Sequence, residues 1–348
     1  MKELSKSITL AGLIKADIGN PNAGWPEGIV TVMKKVELPN GEVHPYISGQ
    51  ALRRYLRDSL AELPDVKPDE IAEITSPEIS ADPKAPVLTP GDPRKFIDDD
   101  LFGFMRAVKG LTILRESPLR VSAAYGLFPY TGDRDLGTKS ALKALSRIAE
   151  EPKKLEELAK LLRVSTKGKS EKEIKKAVIE AAHKGAMFES EVTNNVYRTA
   201  LLLELDRVGR WQPYESLDAE KGELPESERK RRCKLLLHGL KYLWGGGRRT
   251  RMLLDFTPQF VIYARMPRKV PVFLNALEVK FTGKVYEIDT EILKQVARDY
   301  EADIQKLIIG ARKGFLINED KIEILGARPQ SIGEAFDAMI KDIETSSF

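Results

Sequence analysis

Two periods of hydrophobicity alternate along this chain. The β-branched and apolar run Ile8–Ile18 (ITLAGLIKADI) predicts a first strand. Gly19, Pro21, Gly24, Pro26 and Gly28 then punctuate the chain, so Asn20–Gly28 reads as a loop without regular structure. Ile29–Leu38 predicts a strand that ends at a Pro39-Asn40-Gly41 turn. After Ser48 the period changes: Leu52, Tyr55, Leu56, Leu60 and Leu63 line one face of a helix that stops before Pro64. Leu111–Ala124 predicts a strand broken by Pro118, and Phe188–Val208 a long strand. Pro225–Trp244 predicts a second amphipathic helix with Leu235, Leu236, Leu240 and Leu243 on its apolar face, and Met252–Ala264 another strand. The last third predicts a strand (Ala276–Phe281), a helix (Thr290–Gln305), a strand (Lys306–Phe315) and a closing helix near Ile332–Ile343. The core order is strand, helix, strand, strand, helix, strand. That is an α+β βαββαβ sheet of the ferredoxin-like or RNA-recognition-motif-like kind.

Two long stretches interrupt this order. Pro64–Pro93 is rich in proline and acid and reads as a surface insertion. Lys139–Lys184 is rich in Lys and Glu and reads as an inserted helical module joined through Thr166-Lys167-Gly168-Lys169. The implied organisation is a first half-palm (1–63), an insertion (64–109), a palm strand (110–124), a helical insertion (125–187), a second half-palm (188–265) and a C-terminal extension packed on the palm (266–348).

Charge sharpens two places. Ser48 is a good N-cap, and Gly49 lets another backbone approach the first helical turn. Gln50, Arg53, Arg54 and Arg57 fall at i, i+3, i+4 and i+7, so the helix has a cationic side opposite its core side. Its free N–H groups and dipole suit a phosphate. The second place is Gly245-Gly246-Gly247-Arg248-Arg249-Thr250-Arg251. From Arg229 to Arg251 there are nine basic residues and no acid. Glycines let a backbone sit against a ligand, and arginines grip phosphates bidentately. The stretch is no P-loop, since the Gly-Lys-Ser/Thr ending is missing and the order of helix and strand is reversed. In the βαββαβ order both basic sites would meet near one face or edge of the sheet and form a groove that tracks a sugar-phosphate backbone.

The whole chain of 348 residues carries a net charge of only +4, so any nucleic-acid surface must be local. Charged residues make up 31% and there is one cysteine, a profile that fits a thermophile's cytosolic protein. Cys233 alone makes no intrachain disulfide, and His44, His183 and His238 are too dispersed for a zinc site. No signal core or membrane span is visible, so a cytoplasmic protein without membrane or cofactor is expected. Asp98-Asp99-Asp100 reads as the acidic start of a helix rather than a Mg²⁺ site.

The segments ISGQALRRYLR, DLFGFMR, RESPLRVSAA, FESEVTNN and GGGRRTRMLLDFTP, spread in order from Ile47 to Pro258, resemble the CRISPR-associated Cas-seven family in its DevR-type autoregulator branch. That family supplies the repeating backbone subunit of type I Cascade complexes. The resemblance implies a right-hand shape: an RNA-recognition-motif palm with inserted finger or web and thumb elements. It implies copies lined head to tail along the spacer of a crRNA, each gripping the backbone while the free bases pair with target DNA. Other Cascade subunits (Cas-five and the large subunit) and a recruited helicase-nuclease would be partners. By position, Ser48, Gln50, Arg53 and Arg57 match the RNA-gripping first helix and Gly245–Arg249 the glycine-rich loop. Arg54, Arg106, Arg120, Arg134 and Arg251 join them through charge and nearness to the motifs. The thumb would fall between Tyr125 and Met187.

Related type III backbone subunits cut RNA with a loop aspartate. Here Gly28-Ile29-Val30-Thr31 places Val30 where that acid is expected, and Asp17 is the nearest substitute. With no His placed as a base, the expectation is a binding protein without nuclease activity. Three other readings compete: a stand-alone DNA-binding autoregulator, which lacks a visible helix-turn-helix; a metal-dependent RNase like the type III subunits; and a phosphate-ligand enzyme at GGGRR, which lacks a catalytic constellation.

Overall fold

The computed structural model describes residues 4–72, 89–108, 111–138, 152–184, 187–216, 220–247 and 251–348. The fold is mixed α+β and divides into two compact units. The larger comprises Met1–Asn22, Lys34–Tyr130 and Asn194–Phe348, and the smaller Ala23–Met33 and Thr131–Thr193. The C-terminal third therefore belongs to the larger unit, and the helical insertion shares its unit with a short segment from near the N-terminus.

In the larger unit the strands lie in the order Pro329–Gln330, Lys306–Ala311, Pro258–Met266, Ser7–Gly19, the 194–204 part of Met187–Glu204, Ala124–Gly126, Val43–Ile47 and Lys35–Glu37. Ser7–Gly19 runs antiparallel to Pro258–Met266, from Ser7 opposite Met266 to Leu13 opposite Phe260. Leu119–Val121 and Ala124–Gly126 both pair antiparallel with Met187–Glu204. Along the central strands, alternate residues enter two different cores. Ile8, Leu10, Tyr197, Leu203, Val261 and Tyr263 join one, with the helices Gly49–Ala61, Glu226–Lys241 and Ile332–Thr345. Ala11, Leu13, Val196, Phe260 and Ile262 join the other, with Leu293 and Ala297 of the helix Thr290–Asp299. Burial on both faces is why these strands read as continuous apolar runs.

Several boundaries differ from the sequence reading. Asn20–Gly28 contains a strand, Ala23–Glu27, paired antiparallel with Val30–Met33. Gly28 occupies the first of two turn positions at φ 61°, where a tight hairpin favours glycine, and an edge strand tolerates Pro26. A strand at Val43–Ile47 was not expected; His44-Pro45 breaks its apolar pattern, and the pairing of Tyr46 and Ile47 with Tyr125 and Ala124 supplies the order. Leu111–Ala124 is three pieces, of which Leu111–Arg115 forms a separate ribbon with Phe104–Val108. Met252–Ala264 splits into Leu254–Asp255, which closes a hairpin with Trp244–Gly245, and Pro258–Met266. The helix read to Gln305 ends at Asp299, and the strand read to Phe315 ends at Ala311.

The smaller unit is built on the first part of the strand Met187–Glu204. Val30 and Thr31 run parallel to Glu189 and Ser190, and Asp133–Thr138 runs antiparallel to residues 187–192. The two helices among its described residues, Pro152–Leu161 and Glu171–Lys184, share a core of Leu155, Ala159 and Val178, against which Leu158, Leu162, Val164 and Ile174 pack. Residues 139–151 of the expected helical insertion, and 73–88 of the proline-rich one, lie outside the described residues.

Candidate nucleic-acid interface

The helix Gly49–Ala61 starts as its sequence requires. Ser48 is extended (φ −64°, ψ 149°), and its side chain accepts from the Ala51 N–H at 3.3 Å. The Ser48 N–H in turn donates to Asn22 Oδ1 at 2.9 Å. A Cβ on Gly49 would come within 2.6 Å of the Val121 carbonyl, so only glycine lets the first turn lie on that strand. Leu52, Tyr55, Leu56, Leu60 and Leu63 are all buried.

The glycine-rich segment reaches the same place. The Gly247 N–H donates to the Asn20 carbonyl at 2.9 Å, and Gly245 lies against the Tyr55 ring. Tyr55 is fixed by a hydroxyl donation to the Pro21 carbonyl at 2.9 Å and by the Phe256 ring, 5.7 Å away. The loop Asn20-Pro21-Asn22 thus holds three candidate elements: Ser48 through Asn22, the helix through Tyr55, and the glycine turn through Asn20. The sequence reading placed these three residues in a loop and Tyr55 on the helix's core face, but not among the candidate site residues. The only signal was the Asn-Pro-Asn spacing at the end of the first strand, and polar loop residues are common.

The arginines divide. Gln50 and Arg54 are exposed, and Arg54 pairs with Asp58 at 2.9 Å. Arg53 donates to the carbonyls of Phe102 and Leu119, and burial, followed by the charge of Arg57, lowers its pKa. Arg57 lies 4.0 Å from Asp98 and 5.0 Å from the Phe102 ring. The cationic side read from the helix is therefore partly inward: its guanidinium groups also hold the short acidic helix Ile97–Phe102. Arg53 and Arg120 line one open surface groove with Gly103, Ser117 and Val121. Arg120 bonds Glu204 at 2.6 Å and Glu116 at 3.1 Å, and the Glu204 bond leads the rise in its pKa.

Arg106 donates to the Pro90 carbonyl, and Arg134, in the smaller unit, pairs with Glu189 at 3.4 Å. Arg251 is exposed just after the glycine turn, whereas Arg248 and Arg249 lie outside the described residues.

The acid-free run from Arg229 is mostly occupied by the fold. Arg229 pairs with Glu223, Lys230 with Glu226, Arg231 with Glu70 and Glu228, Arg232 with Asp100 and Glu228, Lys234 with Glu344, and Lys241 with Asp337. Most of the partner acids stand far off in sequence, so local charge density overstated the free positive surface. The three consecutive aspartates begin a helix, and all three are buried. Asp98 accepts from the Ala72 N–H, Asp99 from the Asp92 N–H, and Asp100 from Arg115, Arg232 and the Gly209 N–H. Among the described residues no His, Cys, Asp and Glu cluster is arranged to hold a metal, and no described helix is long and apolar enough to cross a membrane.

Residues 28–288 match the family model of the CRISPR-associated negative auto-regulator DevR/Csa2. The chain belongs to the DevR/Csa2 family. Solved structures share this family member's fold at low identity. A chain of a CRISPR RNA-guided surveillance complex matches with a TM-score of 0.54 and 15% identity, covering 96% of this chain and 98% of that one. A chain of a pre-nicking CRISPR RNA-guided surveillance complex matches with a TM-score of 0.52 and 12% identity, covering 97% and 100%. Among curated protein sequences none matches significantly.

Proposed function

We propose that this protein is a crRNA-binding backbone subunit of a type I Cascade complex. It polymerises along the spacer of the guide, grips the sugar-phosphate backbone and presents bases to target DNA. The observation that carries this reading is the meeting of the Ser48 helix start and the Gly245–Gly247 turn on the Asn20–Asn22 loop. Two backbone segments with arginines beside them in sequence are fixed side by side there, with Ser48, Gly49 and Gly247 half-buried and Gln50 exposed. That suits a repeated phosphate contact that is blind to base identity. A palm of the RNA-recognition-motif kind accords with it: the strands Pro258–Met266, Ser7–Gly19, Met187–Glu204 and Ala124–Gly126 stand in the order 4-1-3-2 expected for βαββαβ. Copies of the chain, Cas-five, the large subunit and the helicase-nuclease are the corresponding partners.

The chain binds RNA in this reading and does not cut it. Val30 occupies the position considered for a catalytic acid, and Asp17 forms an ion pair with Lys15 at 3.2 Å. Incubation of the guide-loaded protein with complementary RNA and divalent ions should leave that RNA intact. Cleavage abolished by Asp17→Ala would overturn this.

The deciding test is the length of RNA protected by purified protein after mild nuclease digestion. A ladder with a constant increment is expected. Absence of protected RNA, with selective binding to one DNA duplex, would favour the stand-alone regulator that the family description suggests.

A further inference from the structure

His44 lies on the strand Val43–Ile47, which runs directly into the Ser48 cap, and it is only 4% exposed. Its Nδ1 is 2.8 Å from the Gly126 carbonyl. A carbonyl only accepts, so Nδ1 carries the proton of the neutral ring. Nε2 is then a bare acceptor. It is buried without a hydrogen-bond partner and faces Glu42 Oε2 at 3.6 Å. Two acceptors thus confront each other at the hairpin turn. A second proton, on Nε2, converts that contact into a charge-assisted hydrogen bond to the carboxylate. Histidine is the side chain whose ordinary titration falls between about pH 5 and 8.

The surroundings of the ring leave Glu42 as its counter-charge. The carboxylate is fixed in place: the Glu42 N–H donates to Asn40 Oδ1 at 3.0 Å, and Oε2 accepts from Asn40 Nδ2 at 2.9 Å. Tyr125, on the neighbouring strand, stacks on His44 with centroids 5.1 Å apart and planes at 13°. Arg198 lies 5.2 Å from the Tyr125 ring and is paired with Glu278. On the other neighbouring strand, Lys35 sets its ammonium 4.4 Å from the Tyr130 ring.

Backbone bonds join this turn to the helix start. Val36 pairs with His44 and Lys35 with Pro45. The Tyr46 N–H donates to the Lys34 carbonyl at 3.0 Å, and the Lys34 N–H to the Asn22 carbonyl at 3.0 Å. Asn22 Oδ1 then receives the Ser48 N–H. The turn that Glu42 and His44 close is one end of a ladder whose other end sets Asn22, and Asn22 sets the Ser48 cap.

We propose that His44 is a proton-dependent positioning residue: with Nε2 protonated it ties the Glu42 turn to the strand Ala124–Gly126, and so fixes the Asn22–Ser48 contact in the geometry that holds RNA. The proposal rests on the guide-binding reading of the Ser48 helix. RNA and this proton favour the same state, so each raises the affinity for the other by one factor.

The test is the affinity of the full-length protein for a single-stranded RNA of arbitrary sequence, at fixed ionic strength, from about pH 5.5 to 8. The proteins are the parent, Glu42→Gln and His44→Asn. The general gain of positive charge at low pH acts on all three alike, so their profiles are compared with one another. The amide of H44N can still donate to the Gly126 carbonyl but carries no titrating nitrogen. The ratio of parent to H44N affinity should therefore rise about fivefold as pH falls across the range. E42Q offers an amide donor to the neutral ring and no counter-charge to the protonated one, so its affinity relative to the parent should fall over the same range. A purely structural imidazole gives offsets that are constant with pH, and constant offsets would overturn the proposal. Glu42 is an exposed turn residue, so E42Q should melt with the parent at pH 8. If H44N fails to fold, the parent and E42Q profiles decide: divergence supports the proposal and parallel profiles overturn it. A parent that binds no RNA at any pH would defeat the guide-binding reading instead. Hydrogen exchange without RNA then judges the staple. Protection of the Tyr46 and Ser48 amides, corrected for intrinsic exchange, should rise at low pH in the parent and not in E42Q, and equal protection in both would overturn it.

Discussion

Gly245 is pressed against the aromatic ring of Tyr55, so closely that a Cβ would run into the ring carbons. The ring has no room to retreat, because its hydroxyl is bound to the Pro21 carbonyl and its face meets Phe256. The glycine turn and the first helix are thereby set in one geometry. Gly245→Ala should cost about 1–3 kcal/mol in urea unfolding, as overpacking does. The same change in a Tyr55→Leu background should cost measurably less, since the two sites share one contact. Equal costs in both backgrounds would show that the ring is not what excludes the Cβ.

Gln50 and Arg53 separate binding from stability on one helix face. Gln50 is exposed, whereas Arg53 bonds two carbonyls of neighbouring segments. Gln50→Ala should leave the unfolding midpoint unchanged and weaken RNA binding. Arg53→Ala should weaken RNA binding and also lower stability by about 1–2 kcal/mol, because buried carbonyls lose their donor. Filter-binding and urea titrations on the same preparations would check both. A stability loss from Gln50→Ala would contradict the assignment.

Asp100 joins two buried arginines: Oδ1 bonds Arg115 at 2.5 Å and Oδ2 bonds Arg232 at 2.8 Å. All three are essentially inaccessible to water. Asp100→Ala leaves two buried cations short of a counter-ion, and breaking such a pair typically costs about 3–5 kcal/mol. Chemical denaturation of the variant should show a loss of that size, and a change under about 1 kcal/mol would mean that Glu215 and Glu228 compensate.

Asp99 gives a pH dependence with a definite sign. Burial, reinforced by the neighbouring charge of Asp98, pushes its carboxyl up to about 6. The folded state then holds a proton that the unfolded chain releases near pH 4. The associated stability is present at low pH, falls as pH rises from about 4 through about 6, and stays lost above. The difference in unfolding free energy between the parent and Asp99→Asn should therefore change by roughly 3 kcal/mol across that window, at 1.36 kcal/mol for each pKa unit. A difference that is flat with pH would show that Asp99 titrates normally.

The sequence by itself determined the helix that starts at Ser48, its buried face, the long strand before Glu204 and the two basic segments. Each depends on contacts within a few residues: an N-cap, a 3.6-residue apolar period, a β-branched run. Tertiary structure alone decided which charges remain for a ligand. Arg231 and Arg232 look free in a run without acids, yet Glu70 and Asp100 reach them across the fold. It also decided that Asn20 and Asn22 join the two basic segments, because backbone carbonyls and amide oxygens acquire partners only when distant segments pack. The strands Ala23–Glu27 and Val43–Ile47 were hidden for the same reason: each takes its order from ladder bonds to other strands rather than from its own composition.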